Sequence, residues 1–271
     1  MTIAIITGGA VNHRHGSGVQ IARLFEGMKP EPWHLFWETN CGDDSGFQRA
    51  YLLKTLPRLK RLGSLASPPA ADSGVLRMVM LDSLGSADNP ALSVLADALP
   101  VLRARWPKCE CLYMGQHYHM LPDRLRPLVT YPGRISLETF EQLLSTAHVA
   151  FLPSPQRLDC YGRFSPVARL TDYFAAGLPV LYCVAKGSVA EQLLTPLSPL
   201  AAARADTPES LVAAVERFAE PVQWREASRL LRSHAEEHFA IGRLREKVLG
   251  ALATTCDAAT ARERKDCHAV G

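Results

Sequence analysis

The stretch from Val149 to Val184, VAFLPSPQRLDCYGRFSPVARLTDYFAAGLPVLYCV, constrains this chain more than any other. A continuous apolar run (Val149, Ala150, Phe151, Leu152) meets Pro153-Ser154-Pro155, and a polar, Gly-containing loop follows. Ser165-Pro166 then opens a helical segment that Gly177 closes, and a second apolar run, Pro179 to Val184, comes at once. The succession predicts strand, loop, helix and strand. Such a βαβ unit has its loop at the carboxyl end of a parallel strand, where α/β proteins bind ligands.

The helix is legible from its own chemistry. Ser165 suits an N-cap, Pro166 the first helical position, where a missing N–H costs nothing, and Gly177 the left-handed C-terminal conformation. Free N–H groups and the positive dipole end then point into the loop and favour an anion such as phosphate. Arg169 adds a cation one turn in, and Asp172 follows three residues later on the same face. A second reading stands beside this one, in which the two side chains only pair on a solvated face.

The chain has 271 residues, 47% of them hydrophobic, enough for one large or two small packed domains. A net charge of +3 and 7% aromatic content, with basic residues widely spread, give no nucleic-acid footprint. The cysteines (Cys41, Cys109, Cys111, Cys160, Cys183, Cys256, Cys267) have no zinc-type or CxxC spacing. Cys109, Cys111 and Cys183 fall in predicted strands, which reads as buried free thiols in a reducing cytoplasm. The amino terminus, MTIAIITGGA, has no basic region before a short apolar run, so neither a signal peptide nor a membrane span is expected.

Taken in order, Thr2 to Thr7 predicts a strand, followed by a Gly-rich loop carrying His13, His15, Gly16 and Gly18 and a helix with apolar positions from Val19 to Met28. The glycines permit close backbone approach by a ligand, but no GxGxxG is present. His13 and His15 read as acid/base or acceptor-binding groups, or as ordinary exposed loop histidines. Trp33 to Glu38 predicts a strand. Gly46 to Leu62 predicts a basic amphipathic helix, open either to a solvated face or to peripheral contact with an anionic membrane. Ser64 to Gly74 has the composition of a linker.

A second series follows. Strands are predicted at Val75–Asp82, Cys109–Met114, Leu128–Tyr131 and Val149–Leu152, with helices from Asn89-Pro90 to Trp106 and over Leu137–Ala147. After Val184 come helices at 188–194, from Thr207-Pro208 to Ala219, over Trp224–Phe239 and from Ile241 to Ala253, then a polar tail from Cys256. Alternating strands and helices of these lengths predict a parallel, doubly wound sheet. The domains expected are 1–63, a linker at 64–74, 75–240, a terminal helix at 241–255 that could cross back to the first domain, and a disordered tail at 256–271.

Several pieces together resemble the retaining, family 4-like nucleotide-sugar glycosyltransferases of the GT-B fold, also called group 1. They are GSADNPAL (85–92), LYMG (112–115), YPGRIS (131–136), LLSTAHVAFLPS (143–154), SPVARLTDYFAAGLPVL (165–181) and GSVAEQL (187–193), in family order and spacing. The resemblance covers about 75 to 249, with a looser match at 3 to 28. It implies two Rossmann-like parallel-sheet domains, the amino-terminal one reduced, and transfer of a sugar from a nucleoside diphosphate to an acceptor (glycan, lipid or protein), with no obligatory cofactor or metal. By the same resemblance, Asp172 stands where the family binds ribose hydroxyls, usually through Glu. Arg169 is the basic partner, Ser165 and Pro166 form the pyrophosphate cradle, and Tyr131, Gly133 and Arg134 belong to the segment lining the base. Gly16, Gly18, His13 and His15 correspond to the amino-domain loop facing sugar and acceptor, and Glu191 to an acidic position that is otherwise a helix-start residue.

Two departures keep an alternative open. The loop Asp82-Ser83-Leu84-Gly85-Ser86 lacks the Arg and Lys that relatives place after the first strand of this domain, and Gly162-Arg163-Phe164 offers no match to the earlier family Glu. The alternative is a non-catalytic, nucleotide-binding or scaffold subunit that works with a second subunit. A nicotinamide-dependent enzyme lacks its fingerprint.

Overall fold

The computed structural model describes residues 4–7, 34–37, 66–68, 74–81, 89–154 and 169–240, together with 242, 243, 246 and 250. The chain divides into two compact units, Met1–Arg58 with Glu237–Gly271, and Leu59–Glu236. In the first, β1 (Ala4–Thr7) and β2 (His34–Trp37) pair in parallel, Ala4 opposite His34. The basic helix expected at 46–62 and the polar tail from Cys256 lie outside the described residues.

The second unit is built on a five-stranded, wholly parallel sheet. Its strands are β3 (Val75–Leu81), β4 (Lys108–Met114), β5 (Val149–Pro153), β6 (Val180–Cys183) and β7 (Ala202–Arg204), in the spatial order β4-β3-β5-β6-β7. Every residue of β5 and of β6 is buried, as a parallel strand covered by helices on both faces requires. The expected strand at Leu128–Tyr131 is reduced to one parallel bridge, Leu112 with Thr130, because Arg126–Leu128 turns as a 3-10 helix with Pro127 in it. With Thr130 outside β4, the order is that of a Rossmann-type sheet. β7 was not expected from sequence. Ala202, Ala203 and Arg204 have little strand propensity, and pairing with Val180, Leu181 and Tyr182 imposes the conformation.

The helices begin where their capping residues place them. Asn89 caps α1 (Pro90–Arg105) by accepting from the Ala91 N–H at 3.1 Å. Ser136 caps α2 (Leu137–Ser145), accepting from the Thr139 N–H at 3.1 Å. α3 is described over Leu170–Ala176, and its expected start at Ser165-Pro166 lies outside the described residues. Ser188 caps α4 (Val189–Leu194), and Thr207 and Ser210 cap α5 (Pro208–Ala219) reciprocally. α6 (Pro221–Phe239) closes the unit. α1 packs on α5 and α2 on α3. Right-handed crossovers put those two layers on opposite faces of the sheet.

Gly177 ends α3 with φ +69°, the left-handed conformation expected of it. It also lets α6 approach. A Cβ there would stand 2.3 Å from the Ser228 Oγ and 3.1 Å from the Arg232 Cδ. Ala66, in the linker stretch, is held on this unit by donating its N–H to the Ala176 carbonyl at 3.1 Å. Cys109, Cys111 and Cys183 are buried free thiols, and burial pushes the Cys111 thiol up to about 12. Among the described residues, no helix is long and apolar enough to cross a membrane.

Candidate functional site

The winding direction reverses between β3 and β5, so the carboxyl ends of these strands flank the crevice where an open α/β sheet receives ligands. Their ladder runs from Met78 opposite Val149 to Met80 opposite Phe151. At that end sits the hydroxyl of Tyr173, from α3. It accepts from the Leu81 N–H at 2.8 Å and donates to the Phe151 carbonyl at 3.2 Å. The ring is fully buried, and burial pushes the hydroxyl well above the ordinary phenol range, so it stays a donor. One side chain thus pins α3 to both strands at the mouth of the crevice.

Arg169 and Asp172 stand in the first turn of α3, directly before this pin. Asp172 is fully buried, while the Arg169 side chain is 42% exposed, with its Nη1 4.0 Å from the Asp172 Oδ2. The two side chains pair across that distance, with the carboxylate buried and only the arginine reaching water. A carboxylate near a helix start is favoured by the dipole, and the guanidinium paired with it lies at the rim.

On the far side of β4, Thr130 leads into Tyr131 at the same edge. The Tyr131 ring, 38% exposed, stacks on Tyr118 with centroids 4.4 Å apart and planes 3° apart, and Tyr113 lies beneath at 5.9 Å. Gly133, at φ +74°, turns the chain so that Ser136 can cap α2, and Arg134 is exposed between them. Arg134 forms no ion pair among the described residues.

Glu191 has structural work instead. Its Oε2 accepts from the Gly187 N–H at 2.6 Å and its Oε1 pairs with the Arg204 Nη1 at 2.6 Å, while the Arg204 Nη2 donates to the Val184 carbonyl at 2.8 Å. The helix-start reading of Glu191 therefore accounts for both its oxygens.

Of the residues singled out from sequence, Tyr131, Gly133, Arg134, Arg169 and Asp172 share the carboxyl edge of the sheet, in two groups that no hydrogen bond joins among the described residues. His13, His15, Gly16, Gly18, Ser165 and Pro166 lie outside the described residues. Sequence reasoning missed Tyr173 and Tyr118. The signal for Tyr173 was present, because a tyrosine on the buried face of a helix needs a partner for its hydroxyl. Among the described residues, no group of three His, Cys, Asp or Glu could hold a metal ion.

No protein-family model matches the chain, and no curated protein matches it either. Solved structures do match. A sucrose-phosphate synthase from Thermosynechococcus elongatus is 16% identical over 95% of this chain and 59% of its own, with a TM-score of 0.51. A glycosyltransferase from Rickettsia africae is 15% identical over 66% of this chain and 47% of its own, at 0.50, and a trehalose-6-phosphate synthase 12% identical over 66% and 44%, also at 0.50. The fold is accordingly α/β with a parallel sheet, of the kind found in GT-B glycosyltransferases. The chain spans about half the length of these neighbours.

Proposed function

We propose that the carboxyl edge of the sheet binds a nucleoside-diphosphate sugar and that the chain transfers the sugar to an acceptor hydroxyl with retention of configuration. The observation that carries this reading is the spacing of the two groups at one edge. The Thr130 line and β5 are three strand positions apart, roughly 14 Å. That distance suits a nucleotide with its base at Tyr131–Arg134 and its ribose and diphosphate at α3. In this reading Asp172 accepts from the ribose hydroxyls and Arg169 neutralises the diphosphate. The bond from the anomeric carbon to the diphosphate oxygen breaks, negative charge grows on the leaving oxygens, and Arg169 with the N–H groups near Ser165 and Pro166 stabilises it. The acceptor oxygen bonds to the anomeric carbon and loses its proton, with His13 or His15 as the proposed acid/base or acceptor-binding group.

A panel of nucleoside diphosphates and nucleotide sugars read by thermal unfolding tests the donor site. Saturation at a hundredfold over Kd stabilises by about 2.7 kcal/mol. Asp172→Ala and Arg169→Gln are both expected to abolish the protection, and Arg169 is exposed enough that its variant keeps the fold. Absence of protection by every common nucleotide would sink the proposal. A second reading, a nucleotide-binding subunit without turnover, is favoured by the cation-poor loop after Leu81. It predicts protection without sugar transfer until a partner subunit is added.

A further inference from the structure

At the opposite edge of the sheet, α6 and Ala66 form a groove of about 340 Å³ lined by Trp224, Arg225, Ser228, Arg229, Arg232, Ser233 and Glu236. We infer that this groove is a second anion site, built for a phosphate group carried by a small ligand and separate from the carboxyl edge. Arg225, Arg229 and Arg232 follow one another at i, i+4 and i+7, which stacks three guanidinium groups along one helix face. None of the three forms an ion pair or hydrogen bond among the described residues. With Glu236 also in the lining, the formal charge is three positive less one negative, or +2.

A solvated basic face would look the same in charge alone. Two observations go further. Ser228 lines the groove and its side chain makes no hydrogen bond among the described residues, so its hydroxyl is a neutral donor open to a ligand there. The groove also has a fixed floor. The Trp224 ring is buried and its Nε1–H donates to the His148 carbonyl at 2.6 Å, while the Arg232 stem lies against Gly177. Three guanidinium groups along one helix face, with the Ser228 hydroxyl in the same lining, supply the charged and neutral donors that the oxygens of a phosphate ester accept from. The space is at the small end of ligand pockets, enough for a phosphate and a sugar-sized body.

The test is calorimetric titration of the full chain carrying Arg169→Gln, which weakens the carboxyl edge, with inorganic pyrophosphate at constant ionic strength. Adding Arg225→Gln and Arg229→Gln should lower the affinity about tenfold or more, and Ser228→Ala about threefold, as charge-assisted and neutral hydrogen bonds are lost. The doubly neutralised protein, relieved of like-charge repulsion, should also melt slightly higher without ligand, which loss of a merely structural arginine would not give. Flotation with phosphatidic acid vesicles identifies the carrier. Vesicle binding that the double variant loses, with no response to pyrophosphate, places the phosphate on a lipid, whereas pyrophosphate binding alone places it on a soluble ligand. Unchanged affinity in the double variant, an equal response to chloride, or no response to either probe overturns the inference.

Discussion

The two edges of the sheet treat their polar groups in opposite ways. At the amino edge the circuit is closed. The Arg77 N–H donates to the His148 Nδ1 at 3.0 Å, and the His148 N–H returns to the Arg77 carbonyl at 2.8 Å. The Arg77 side chain spans the Glu110 Oε2 at 2.8 Å and the Thr146 Oγ1 at 2.6 Å, and Trp224 takes the His148 carbonyl. β3, β4, α6 and the turn from α2 into β5 are tied there with every named donor committed. At the carboxyl edge Tyr173 carries the ties between α3 and the strands. Beyond it, Arg134 and the Tyr131 face are exposed, and Arg169 is half-exposed beside the buried Asp172. The long-range side-chain ties gather at the amino edge, while the carboxyl edge exposes more of its polar groups.

Variants can break or sharpen this contrast. The largest effect is expected at Gly177→Ala, where a left-handed alanine and the clash with Ser228 together cost about 2–4 kcal/mol in denaturant unfolding. Combining it with Ser228→Ala should recover the clash but not the backbone cost, and full recovery would show that the conformation imposes no strain. Tyr173→Phe leaves the Leu81 N–H and Phe151 carbonyl one partner short and should cost about 1–2 kcal/mol. The same variant is expected to weaken nucleotide protection, because the end of β3 at Leu81 loses its tie to α3. Intact binding would mean that the pin serves the fold alone.

Acid probes the closed edge. Burial, and then the charge of Arg77, hold His148 down to about 4 from its ordinary 6.5. Between those values the unfolded chain binds the extra proton, so the stability from neutral His148 is whole above pH 6.5 and lost as pH falls towards 4. With solvent screening of this partly exposed group allowed for, the loss is about 1–2 kcal/mol, and His148→Asn should flatten the melting profile over that window. The smallest effect belongs to Glu110→Gln. Its partly exposed pair with Arg77 should be worth about 0.5 kcal/mol and should fade in high salt. A loss much larger than that would mean the amino-edge network acts as one unit.

Much of the scaffold was legible in the sequence because its signals are local. Asn89-Pro90, Ser188 and Thr207 mark helix starts within reach of their own backbone, Gly177 marks an end, and the apolar runs of β5 and β6 mark strands buried on both faces. β7 was not legible, since Ala-Ala-Arg becomes a strand only beside β6. Of the candidate site, Arg169, Asp172 and Tyr131 to Arg134 could be found by pattern. Tyr173 signals only that its hydroxyl needs a partner, because the partners themselves, Leu81 and Phe151, lie on two other strands.

The sequence by itself determined the class of fold, through the order of strand and helix signals, and the i,i+3 placement of Arg169 and Asp172 on one helix. Tertiary structure alone decided that Asp172 is buried while Arg169 reaches water, that Tyr173 closes the end of the β3–β5 ladder, and that Ser228 is buried in a groove beside three arginines. The physical reason is range. Caps and periodicity act over one or two turns of chain, whereas burial and hydrogen-bond partners are set by elements that meet only once the sheet is assembled.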